Sequence, residues 1–181
     1  MKHILFLLLI ALSYPLHAEE GGWATRDGKV ASNTDSMKSI NGFGGWLVVT
    51  PDPDWEKKWN TPPDSAPYFS EAKDVKYGQV ITILPFFINP KTNNSGEILI
   101  LCDIKVTRPD GSHSINAKGI KCASGKLQGN PRNIRLTSTV IKYIGEDGDL
   151  PGIWKIEVNI TDNIRNVSIP LKTQFNLVKN G

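Results

Sequence analysis

The residue types that carry proton transfer and metal chemistry are scarce, with three histidines and two cysteines in 181 residues. His3 and His17 fall in the apolar N-terminal stretch, which leaves His113 in Asp110-Gly111-Ser112-His113. A nucleophilic triad needs groups that converge from separate elements, so this run reads as a solvated turn. Glu146-Asp147-Gly148-Asp149 gathers three carboxylates around a glycine. Calcium takes about six to eight oxygens, and the segment lacks EF-hand spacing and a distant bidentate Glu, so it reads as a polar turn. Gly42, Gly44 and Gly45 precede a strand and lack a following Lys-Ser/Thr, which removes a phosphate loop. No catalytic residue, metal site or cofactor is expected.

Cys102 and Cys122 are the only cysteines. An even number in an exported chain predicts a disulfide, the alternative being two buried free thiols. Cys102 falls on the inward face of its strand and Cys122 just past the return strand of the same hairpin. A bridge there closes a loop of about 21 residues, worth roughly 3 kcal/mol on the chain-entropy model. Trp55 and Trp59, four apart on a short helix, share one face. One reading makes them an exposed aromatic platform for a glycan or a partner protein. The other has the helix cap an open end of the fold and bury both rings, since tryptophan is highly buried on average.

The elements that position these residues begin after an export signal. Lys2 and His3 start residues 1–18, Ile4 to Leu12 is unbroken apolar sequence, and Leu16-His17-Ala18 precedes Glu19-Glu20, the pattern of a secretory signal peptide. That run is too short to span a bilayer core about 30 Å thick, and no later segment is long enough, so no stable membrane insertion is expected. Periplasmic or secreted localisation follows. Residues 19–45 are weakly patterned and read as a flexible N-terminal arm or an extended wrap. Residues 46–69 hold a strand, a helix over 53–59 with Asp52 as its N-cap, and a Pro-rich linker, all packing on a sandwich over 70–178.

From residue 70 the pattern is β. Gln79–Ile88 is a continuous apolar run that predicts a strand buried on both faces, with Pro85 demanding a bulge or an edge. In Glu97–Thr107 the residues Ile100, Cys102, Ile104 and Val106 alternate with Asp103, Lys105 and Thr107. Arg108-Pro109-Asp110-Gly111 then turns the chain into a return strand. Asn133–Ile144 is a further strand of weaker alternation. Trp154, Ile156, Val158 and Ile160 alternate with Lys155, Glu157 and Asn159, and Val167 to Leu177 repeats the pattern. About seven strands with one wet face each predict antiparallel sheets packed as a sandwich. Asn93, Asn159 and Asn166 stand in glycosylation-type triplets, which matter only in a eukaryotic secretory host.

Asp149-Leu150-Pro151-Gly152-Ile153-Trp154-Lys155-Ile156-Glu157-Val158, followed by Thr161-Asp162, resembles the penultimate strand of immunoglobulin-like sandwiches. Trp154 stands where that family's corner tyrosine usually is. No cysteine lies two residues on, so the antibody disulfide pattern does not carry over. The whole chain, with its Trp-rich segment, also resembles small exported bacterial proteins of this fold without assigned activity. The resemblance implies an all-β, antiparallel immunoglobulin-like sandwich with a short helix and an extended N-terminal arm. It is silent on function.

A formal charge of +3, from 21 basic and 18 acidic residues without a basic cluster, gives no support for nucleic-acid binding. The expected role is an exported, non-catalytic module that binds a protein partner. A carbohydrate- or cell-wall-binding module using Trp55 and Trp59 is the alternative, and a hydrolase ranks third. The cysteine reading has a direct check. Thiol labelling of the unfolded, unreduced protein should find no free sulfhydryl, and stoichiometric labelling at Cys102 and Cys122 would end the disulfide reading.

Overall fold

The computed structural model describes residues 22–24, 27, 29–61 and 67–180. The signal peptide expected over 1–18 lies outside the described residues, as do positions 62–66 of the Pro-rich linker. Among the described residues two five-stranded sheets pack face to face, with one short helix, in the expected immunoglobulin-like arrangement. Sheet I holds β1 (Met37–Ile40), β2 (Phe43–Thr50), β4 (Val80–Ile88), β7 (Arg135–Leu136) and β8 (Ile141–Ile144). Sheet II runs in the order β3 (Asp74–Lys76), β10 (Val167–Val178), β9 (Gly152–Asp162), β5 (Glu97–Thr107) and β6 (His113–Lys126). All pairs are antiparallel except β3 with β10, which is parallel.

The sandwich starts well before residue 70. β1 and β2 form a hairpin, and β2 pairs with β4 from Gly44↔Ile88 to Thr50↔Thr82. Residues 37–50 are therefore part of sheet I, and neither a flexible arm nor a segment laid on the sandwich. Their pattern hides this, because β2 is buried on both faces and carries two glycines at close contacts. A Cβ on Gly44 would lie 2.5 Å from Ile88 Cγ1, and one on Gly45 would lie 3.2 Å from Leu171 Cδ1. Trp23 closes over the same place from the arm. Its backbone N–H donates to Ser39 Oγ at 2.9 Å, and its indole N–H to the carbonyls of Lys38 and Gly45 at 3.1 Å.

β4 is buried along nearly its whole length, as the apolar run implies. Pro85 fits because β8 pairs with β4 only as far as Ile83↔Ile141 and β7 only from Phe86↔Leu136 onward. The missing N–H of Pro85 faces that gap, while its carbonyl accepts from Thr137 N–H at 3.0 Å. The same gap divides the strand expected over 133–144 into β7 and β8. Between them Ser138 N–H donates to the carbonyl of Cys122 at 2.7 Å and ties sheet I to the edge of sheet II. Across the other edge, Lys172 N–H donates to Asp35 at 2.9 Å.

β5, β9 and β10 show the expected alternation, with the apolar set inward. Cys102 and Cys122, both fully buried, are joined in a disulfide between β5 and β6 with Cα atoms 5.9 Å apart. The β5–β6 ladder shifts register three times, which breaks the outer edge of the sheet. Trp154 and Phe175 are cross-strand partners, stacked at 6.0 Å, and Tyr143 from β8 packs on both at 5.1 and 5.2 Å. Trp154 also does what a corner tyrosine does. Its indole N–H donates at 3.0 Å to the carbonyl of Leu150, four residues upstream. At the far end of β9, the buried Asp162 carboxylate accepts from the N–H groups of Lys91, Ile164 and Arg165. Arg165 reaches from there to the carbonyls of Asn41 and Asn89, binding both sheets together.

Truncating Trp154 to Ala removes a fully buried ring, its stacking partners and a satisfied N–H. The expected loss is about 3–5 kcal/mol in urea unfolding. An unmoved midpoint would show that the register of β9 is wrong, since a one-residue slip would turn Lys155 and Glu157 inward.

Candidate functional site

The two sheets treat their outer faces differently. Sheet I is covered outside as well as inside: Val48, Leu84, Phe86 and Phe69 form a second apolar cluster with Trp46, Leu136 and Val140 around it. Helix α1 (Trp55–Trp59) lies on this cluster and does not cap an open end of the sandwich. Trp59 packs on Phe86 at 5.0 Å and Trp46 stacks on Phe86 at 5.1 Å. Both helix tryptophans are half-buried. Both pack against the cluster, Trp59 on the Phe86 ring, and Trp55 also lines a cleft of about 520 Å³ with Pro51, Pro53, Val80, Thr82 and Val140.

Asp52 holds the helix in place, though not as its N-cap. The N-cap is Asp54, without a side-chain capping bond, and the helix begins two residues later than expected. Asp52 Oδ2 instead pairs with Lys58 Nζ at 2.7 Å and accepts from Ser70 N–H at 2.8 Å. Pro53 carries no N–H and the turn before the helix points the Asp52 carboxylate back across α1, toward Lys58 in its last turn. Burial pushes the Asp52 carboxyl up. The hydrogen bonds from Lys58, Ser70 and Thr50 outweigh it and hold the group at about 2. Lys58 is shifted upward by the same contact.

The outer face of sheet II is open and charged. Register places Lys105 of β5 opposite Glu157 of β9, and Glu157 opposite Lys172 of β10. Lys105 Nζ and Glu157 Oε2 are 2.5 Å apart, and Lys172 Nζ lies 3.5 Å from Asp35 on the sandwich edge. The result is a row of alternating sign, Lys105–Glu157–Lys172–Asp35, running across the strands. Hollows of about 450 and 850 Å³ lie along this face, and these four residues line both of them. Asp103, Asn116, Asn159 and Lys118 border the smaller hollow, and Lys155, Gln174, Glu71 and His113 the larger. Sequence alternation already turns Lys105, Glu157 and Lys172 outward. It cannot join them into one row, because register between strands distant in sequence is not written in any one of them.

The remaining sequence candidates are accounted for by local bonding. Ser112 directs its hydroxyl and its N–H at Asp110 Oδ1, which lowers the Asp110 carboxyl, while His113 Nδ1 meets Thr107 Oγ1 at 3.2 Å. Ser112 therefore points at the acid of the turn and not at the imidazole. In the acidic loop, Asp149 Oδ2 accepts from the Tyr143 hydroxyl at 2.8 Å and from Glu146 N–H at 3.1 Å. Burial, then the bond to Asp149, pushes the Tyr143 hydroxyl well above the ordinary phenol range. Among the described residues no group of three or more His, Cys, Asp or Glu side chains converges as metal ligands would.

No family model matches the sequence, and no curated protein matches it either. Among solved structures, the chain is similar to a family 123 glycoside hydrolase from Clostridium perfringens studied for glycolipid glycan hydrolysis. They are 7% identical over 75% of this chain and 28% of that one, with a TM-score of 0.45. This chain thus spans little more than a quarter of the hydrolase. It is also similar to a Niemann-Pick type C2 protein from the Japanese carpenter ant, 9% identical over 82% of this chain and 96% of that one, with a TM-score of 0.36. At these scores neither likeness carries an argument about what this chain does.

The Asp52–Lys58 contact makes the seat of α1 sensitive to acid. A carboxyl held below its unfolded value contributes stability that is complete above about pH 4 and is lost as pH falls toward 2. After screening by solvent, about 1–2 kcal/mol should disappear over that interval. The Asp52→Asn variant should already be less stable at neutral pH and show a flatter decline from pH 4 to 2. Parallel pH–stability curves for the two proteins would contradict this account.

Proposed function

We propose that the chain is an exported, non-catalytic binding domain that engages a protein partner, in the periplasm or outside the cell, through the outer face of sheet II. The row Lys105–Glu157–Lys172–Asp35 carries the reading. Its side chains are between 39% and 68% exposed, and ion pairs so exposed are worth about 0–1 kcal/mol each. The row therefore contributes little to holding the fold together, and its members exchange partners at small cost. Charges of alternating sign at fixed spacing select a complementary surface and set its register, the role such groups play in protein interfaces. The hollows beside the row give a partner's side chains somewhere to enter. The disulfide is consistent with an oxidising compartment.

The β6 edge of sheet II favours a face-on contact over strand addition. β6 carries Lys118, Lys121 and Lys126 and glycines at positive φ at 119 and 125, and Ser138 covers the carbonyl of Cys122. Such an edge resists an added strand.

Glu157→Lys turns the row into adjacent like charges without touching the core. With the chain lacking residues 1–18 as bait in extracts of its native host, the wild type should retain a protein that this variant loses, with affinity reduced about tenfold or more. The melting temperature should stay within a few degrees. Retention of the same proteins by both baits would remove the outer face of sheet II as the contact surface.

A further inference from the structure

We propose that the cleft between α1 and the outer face of sheet I is a saccharide site, taking one or two neutral sugar rings against Trp55. It stands apart from the protein-binding reading, because the charge row occupies sheet II and the cleft is built on sheet I. The volume of about 520 Å³ lies within the ~300–1,000 Å³ common to small-ligand sites. Trp55, Pro51 and Pro53 supply an apolar wall, and Val80 and Val140 line the cleft from sheet I. Most of sheet I is covered on this side, yet Val80 is 38% exposed and its cross-strand partner Ile144 is 43% exposed. Apolar surface is thus left open beside the cleft, where a ligand would cover it.

The polar groups narrow the ligand class. Asp52 is consumed by Lys58 and Ser70. The side chains of Glu56 and Lys142, which also line the cleft, make no hydrogen bond or ion pair with another described residue. Thr82 adds a hydroxyl. One free carboxylate and one free ammonium balance, so a strongly charged ligand gains nothing from the pair. A pyranose matches the set: its C–H face suits an indole wall, and its hydroxyls both donate to Glu56 and accept from Lys142. A proline-rich peptide would use the same aromatic wall but brings few donors for the free carboxylate.

The test is titration of the folded chain with chitohexaose, cellohexaose and maltohexaose, followed by calorimetry and tryptophan emission. At least one should bind saturably below about 10 mM, where the standard free energy is still favourable by a few kcal/mol. Trp55→Ala should weaken that binding about tenfold or more. Should that variant lose its fold, Glu56→Gln and Lys142→Ala supply the same reading, each expected to weaken binding severalfold with the melting temperature nearly unchanged. Glu157→Lys on sheet II should leave sugar binding unaltered, which separates failure here from failure of the protein-binding reading. No saturable binding of any of the three sugars would overturn the proposal. So would binding indifferent to the cleft variants, or Trp55-dependent binding of a proline-rich decapeptide alone.

Discussion

The pairing of β2 with β4 is the constraint from which the rest of the architecture follows. Both strands are apolar on both faces, so the ladder between them cannot lie at a solvated surface. The inner face is satisfied by sheet II. The outer face needs a second cover, and Trp23 and Phe69 against Trp46, together with helix α1, provide it. That requirement explains why so short a helix sits where it does. A five-residue helix has almost no stability of its own, and it persists here through Trp59 against Phe86 and through Lys58 on Asp52. Sheet II meets no such demand, because its strands alternate and one face is free to carry charge.

Much of this was legible in the order of residues, wherever a strand was wet on one side. The bounds of β5, the alternation of β9 and β10, the inward placement of Cys102, Trp154 and Phe175, and the hairpin at Arg108–Gly111 follow from period-two alternation and turn chemistry. Reading fails where periodicity is erased. β2 shows no alternation, and its glycines suggest a loop until Ile88 and Leu171 are seen pressing on them. β1 is short and half-buried throughout, so nothing distinguishes it from the arm before it. β7 and β8 look like one strand because the gap that divides them is set by Pro85, about fifty residues earlier in the chain.

The functional surfaces divide along the same line. Trp55 and Trp59 stand out by type and spacing, but only the structure tells them apart: both pack on the apolar cluster, Trp59 against the Phe86 ring, and Trp55 also walls a cleft. The charge row draws on the arm before β1 and on three strands of sheet II, two of them joined by a tight turn and the third distant in sequence. Each member looks like an ordinary solvated residue, and the pattern exists only once register aligns them.

Pro85 has a consequence beyond shaping the gap. Val80–Ile88 is nine residues of nearly unbroken apolar, β-prone sequence without a charge, the kind of window that stacks in register with copies of itself. Before it pairs with β2, such a segment without its proline would be prone to form fibrils. A proline near its middle denies each stacked copy one donor and interrupts the self-complementary ladder. Folding loses nothing by this, because the native partners on that side stop short of the same position. One residue therefore acts as a gatekeeper in the unfolded chain while being accommodated without strain in the folded one.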